Sequence, residues 1–155
     1  MLSYEGIFFD PEIEELLHSL EVERLSIVND ILHCTFKYRP KSKEIFNEIV
    51  GKEVEITVVG YACDGKNSGF SVRLPDEIIE YYINYDEENP GQLKIPHITA
   101  SLAPGAKASK TKDLKFKSLG KEIKIKGRFG YWIKDGKGGH VSYEPYLVKK
   151  KESKI

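Results

Sequence analysis

Cysteine is scarce in this chain. Cys34 and Cys63 are the only two among 155 residues, and neither lies in a CxxC pair. A zinc ribbon or dithiol redox motif therefore lacks its ligands, and a reducing, cytoplasmic setting is the simplest expectation. No apolar run nears the roughly 18 residues that a membrane span requires, so no membrane partner is expected. The opening "MLSYEGIFFDPEIEELL" is acidic and has no basic segment ahead of an apolar one, unlike a secretion signal. The four histidines show no HxxxH ligand spacing, so neither metal nor cofactor is expected. The loop "GAKASKTK" lacks the GxxxxGK[ST] spacing of a phosphate-cradling turn.

Net charge is also absent, but only in sum. Residues 1–99 hold 9 Lys+Arg against 19 Asp+Glu, net −10, and residues 100–155 hold 15 against 5, net +10. Such a division points to an anionic partner on one face, nucleic acid included; the alternative is a solvated lysine-rich surface.

With 31% charged and 40% hydrophobic residues, the chain reads as one globular domain over 1–148 with a basic tail at 149–155. "YEGIFF" reads as a strand. Asp10-Pro11 then opens a helix with Ile13, Leu16, Leu17 and Leu20 at helical spacing. "DILHCTFKY" is a strand and "KSKEIFNEIVG" a second helix ended by Gly51. "EVEITVVGYA" and "GFSVRL" form a hairpin. After Pro75, "DEIIEYYINY" makes a short helix, "KIPHITASL" a strand and "APGAKASKTKD" a long loop. "KEIKIKGRFGYWIK" and "HVSYEPYLV" form a last hairpin across "DGKGG". The order predicts an α+β fold with mainly antiparallel strands, two-lobed and pseudo-duplicated, with helices packed outside and a central cleft.

Two of the strands carry the same spacing. Alternation puts His33 and Thr35 on one face of "HCTF", with Leu32, Cys34 and Phe36 behind. In "HITA" it puts His97 and Thr99 together, with Pro96, Ile98, Ala100 and Leu102 behind. Imidazole titrates near neutrality, so one of two facing histidines can take a proton while the other gives one. Neighbouring hydroxyls can donate to phosphate oxygens as charge builds. The alternative for each histidine is a hydrogen-bonded core residue.

Two H-h-[T/S]-h motifs in strands, h being apolar or small, resemble those of the two-histidine phosphoesterase superfamily, which includes the RNA 2′,3′-cyclic phosphodiesterases and 2′-5′ RNA ligase-like proteins. The motifs stand at 33–36 and 97–100, and the strand–helix order is similar to the family's across roughly residues 1–135. "HVSY" at His140 fits the same formula. It is set aside because the chain between 97 and 140 is too little for a lobe and His140 follows the flexible "DGKGG". The resemblance implies a metal-independent phosphodiesterase acting on 2′,3′-cyclic phosphate at RNA ends or on nucleotides. His33 and His97 would be catalytic, and Thr35 and Thr99 would bind the phosphate. His97 is taken as the base and His33 as the acid, with the reverse assignment open. Alternatives are a hydrolase of 2′-5′ or cyclic oligonucleotide signals using the same site, and an RNA-binding module that does not turn over.

Further substrate contacts are expected from Lys37, which shares the His33 face, and from Ser101, one step beyond Thr99. Lys107 lies in the loop after the second motif, where Lys110 and Lys112 follow it. His140 is a rim residue, and Tyr143 is a candidate for base stacking within an aromatic group that otherwise fills a sheet face. His18 reads as structural, and Cys34, pointing away from the motif face, as no nucleophile.

Overall fold

In the computed structural model, residues 2–38, 44–79 and 95–146 are described. They form an eight-stranded antiparallel sheet with few helices. The strands are β1 (Leu2–Phe8), β2 (Ile27–Val28), β3 (His33–Tyr38), β4 (Glu53–Cys63), β5 (Asn67–Arg73), β6 (His97–Leu102), β7 (Lys117–Asp135) and β8 (Gly138–Ser142). Their order is β2-β6-β5-β4-β7-β1-β3, with β8 also on β7. The helices are α1 (Pro11–Leu20) and α2 (Glu44–Asn47), and a 3-10 helix spans Ala108–Asp113.

β7 changes partners along its length. Residues 117–128 pair with β4, residues 128–133 with β1, and residues 131–135 with β8. One strand thus joins the group β2-β6-β5-β4 to the group β3-β1. The sheet also curls, so that β3 packs beside β6 although the two stand near opposite ends of the order.

Five of the seven backing residues of the two motifs enter one core, while Pro96 and Leu102 stay half-buried. Leu32, Cys34, Phe36, Ile98 and Ala100 are buried there with Leu17, Phe70 and Phe129. Helix α1 starts as expected, with Pro11 in its first turn and the Asp10 carbonyl accepting the first helical bonds.

Other expectations change. The second helix is one turn, and its chain leaves through Gly51 at φ 88°, a conformation that favours glycine. Only residues 76–79 of the helix after Pro75 are described, and they are helical. The long loop after β6 contains the 3-10 helix. The last turn tightens to residues 136–137, because Gly138 and Gly139 of "DGKGG" already pair in β8. The expected basic tail lies outside the described residues. Among them, no helix is long and apolar enough to cross a membrane.

Candidate functional site

The two motif strands repeat one local construction. His33 Nδ1 lies 3.1 Å from the carbonyl of Ile31. His97 Nδ1 lies 2.8 Å from the carbonyl of Ile95, again two residues earlier. A carbonyl only accepts, so each contact puts the ring proton on Nδ1 and the lone pair on Nε2. Thr35 faces Gly6 on β1, and Thr99 faces Gly69 on β5. The register then slips directly after each threonine: between Glu5 and Gly6 opposite Phe36, and between Ser68 and Gly69 opposite Ala100. Both glycines permit a close approach. A methyl on Gly6 would collide with the Cys34 carbonyl, and one on Gly69 would come 2.6 Å from the Ile98 carbonyl oxygen.

The structure brings the two histidines together. The backbone of His97 hydrogen-bonds the Cys34 sulfur, and the charge of His97 is near enough to act on His33. Burial pushes the His33 imidazole down to about 4; the Ile31 carbonyl opposes this, and His97 lowers it further. His33 is therefore neutral at pH 7. Burial pushes the Cys34 thiol up to about 12, so no thiolate is available there.

The surroundings of the pair differ. The Tyr4 hydroxyl lies 3.2 Å from His33 Nδ1, and its ring centroid is 4.6 Å from the imidazole. Phe8 stands 5.8 Å from the same ring, and Trp132 continues the stack beyond Tyr4. Burial raises the Tyr4 phenol, which keeps its proton. Across the sheet, His97 lies opposite Ser71.

The two threonines also differ. Thr35 is half-buried. Thr99 is buried, and its hydroxyl donates to Thr111 Oγ1 at 2.8 Å, which also accepts from Asn67 Nδ2 at 3.0 Å. Lys37 stands in register with Glu5, and its side chain lies outside the described residues. Ser101 is fully buried; it accepts from the Leu25 N–H and donates to Glu21 Oε2 at 2.6 Å. Its hydroxyl serves the interior, because the slip at Ala100 ends the alternation that would have kept it beside Thr99.

Lys107 is exposed at the start of the 3-10 helix, with its carbonyl held by Asn67 Nδ2. His140 is exposed on β8 and bonds Asp135 Oδ2 at 2.6 Å. Tyr143 is 40% exposed, lies against Gly130 and carries Arg128 over its ring at 5.7 Å. Tyr131 fills the core. His18 is structural, set between Glu21 Oε1 and the Asn29 carbonyl.

Tyr4, Phe8, Asn67 and Thr111 are not marked out by the sequence. "YEGIFF" signals a strand but not which residue of β3 each ring will meet. That depends on a slipped register. Among the described residues, no three His, Cys, Asp or Glu side chains are grouped to share a metal ion.

The chain matches no protein-family model and no curated protein.

Proposed function

We propose that this protein is a metal-independent phosphodiesterase of the two-histidine type, opening 2′,3′-cyclic phosphates at RNA ends or on nucleotides. One observation carries the reading. Two HxT strands, distant in sequence, lie side by side with both imidazoles held in the same tautomer by the carbonyl two residues earlier. A core histidine needs a hydrogen bond; it does not need a second histidine held in the same way beside it.

The pseudo-duplicated, two-lobed layout belongs to the same proposal. β1, proline, α1 and β3 match β5, proline, the helical residues 76–79 and β6 in order. Each HxT strand runs antiparallel to its partner and slips just after the threonine. The groups β3-β1 and β6-β5-β4 read as two lobes bridged by β7, with the histidine pair where they meet.

In this mechanism His33, neutral at pH 7, takes the proton of the attacking water through Nε2. His97 enters the reaction as the imidazolium, with Nδ1–H kept on the Ile95 carbonyl, and gives its Nε2 proton to the departing ribose oxygen. That reverses the roles expected from the sequence and rests on the burial of His33 against Tyr4 and Phe8. Thr35 is the hydroxyl available to a phosphate oxygen as the structure stands, while Thr99 is buried and donates to Thr111, holding the strand of His97 in place.

The test is hydrolysis of a short RNA ending in a 2′,3′-cyclic phosphate, with EDTA present and products separated by chromatography. Wild type opens the ring. His33→Ala and His97→Ala each lower kcat by about 10²–10⁴ while keeping RNA affinity. Activity that survives in both variants sinks the proposal.

A further inference from the structure

The lysines after the second motif are held by the interior of the protein. Asn67 and Thr111 are buried, and Asn67 Nδ2 binds both the Lys107 carbonyl at 2.9 Å and Thr111 Oγ1 at 3.0 Å. Thr111 in turn takes the hydroxyl proton of Thr99. The 3-10 helix is thereby fastened to the strand that carries His97. Thr99 stands two residues, roughly 7 Å of strand, from that histidine. The opposite wall is fixed too, since the Ala103 N–H donates to the Lys66 carbonyl at 2.9 Å.

Between these walls lies an open hollow of ≈ 460 Å³ lined by Lys66, Asn67, Lys107, Lys110, Asp64 and Asp113. Asp64 Oδ1 is engaged by the N–H groups of Lys66 and Asn67, which hold its carboxyl below the usual range. Among the described residues none of the three lysines makes a salt bridge, although the Lys66 charge acts on Asp64, and three ammonium groups stand against the carboxylates of Asp64 and Asp113. Elsewhere arginine charge meets acid, as in Arg128 with Glu53 and Arg73 with Glu122. Clustered ammonium groups repel one another, and fixing the loop that bears them adds an entropic cost. An anion in the hollow relieves the repulsion, and a loop already fixed loses little further freedom on binding it.

We propose that this hollow binds backbone phosphate of a single-stranded polynucleotide whose reacting end lies at the histidine pair. The inference rests on the proposed function and adds that the substrate is a strand rather than a mononucleotide. Lys66, Lys107 and Lys110 contact phosphate, so recognition is independent of base sequence.

Fluorescence anisotropy with labelled oligouridylates of increasing length, over a range of salt concentrations, tests it on wild type and on Lys66→Glu/Lys110→Glu. Both side chains are exposed, and a thermal melt checks that the variant is folded. Wild-type affinity rises with length. The variant binds the longest strand roughly tenfold more weakly, and its slope of log affinity against log salt is shallower by about 0.7 for each phosphate that it no longer neutralises. Equal binding by the two proteins, or no strand binding by wild type, overturns the proposal. Ring opening of a short RNA ending in a 2′,3′-cyclic phosphate, read on the same samples, reports on the histidine pair separately. Its absence beside intact, length-dependent binding would refute the hydrolysis and leave the strand site standing.

Discussion

At His33, burial against Tyr4 and Phe8 disfavours the imidazolium and brings the folded-state value to about 4, below the ordinary 6.5. A depressed value means that the unfolded chain binds the proton more readily. The stabilisation is therefore complete above pH 6.5 and is lost as pH falls from 6.5 through about 4. Urea unfolding at pH 7 and pH 5 should show wild type losing roughly 1–2 kcal/mol, allowing for screening of this half-buried ring. His33→Asn should flatten that part of the curve; an unchanged pH dependence would refute the burial argument. The histidines and threonines were legible in the sequence because strand alternation and a repeated spacing select them. Tyr4 was not, since its contact with His33 arises from cross-strand register. Ser101 was misjudged for a related reason: alternation continues only while the strand stays regular.

The register slips belong to the scale of elements. Gly6 and Gly69 lie where a neighbouring carbonyl leaves no room for a Cβ, so that β1 and β5 approach the motif strands just where those strands bulge. Gly6→Ala forces the Cys34 carbonyl to move and should cost about 1–3 kcal/mol by chemical denaturation. Because Cys34 follows His33, turnover should fall with stability; a variant as stable as wild type would contradict the close approach. Strong periodicity made β1, β3, β6 and the β4–β5 hairpin readable, and Asp10-Pro11 located α1. The two-residue β2 offers no period to detect. The 3-10 helix is set by Thr111 and Asn67 in the interior, which its lysine-rich sequence does not announce. β7 reads as one run of alternation, and nothing in that run marks Arg128 as the residue where its partner changes.

Across the whole molecule, the opposed charges of the two stretches are partly spent on each other. Glu53 and Glu55 of β4 lie opposite Arg128 and Lys126 of β7, whereas Arg73, gripping Glu122 through two bonds of 2.8 and 2.9 Å, joins the minority charge of each stretch. Among the described residues the loop lysines are in none of these pairs, so the sum of charges does not show where the surplus lies. A second long-range tie is Glu21, whose fully buried carboxylate accepts from His18, Arg24, Ser68 and Ser101. It fastens the end of α1 to β5 and β6. Glu21→Ala leaves those donors unmatched and should lower stability by about 3 kcal/mol in urea unfolding; a loss within about 0.5 kcal/mol would show the tie to be dispensable.

The change of partner along β7 also sets an order of events during synthesis. Phe8 pairs with His33 on one side, but its other neighbour is Arg128. A nascent chain therefore carries β1 with one edge bare until most of the protein has been made, and a bare edge invites pairing with other chains. Among the described residues, the strands bearing His33 and His97 belong to groups that strand pairing joins only through β7. A ribosome halted before residue 117 would hold both histidines already translated and no site between them.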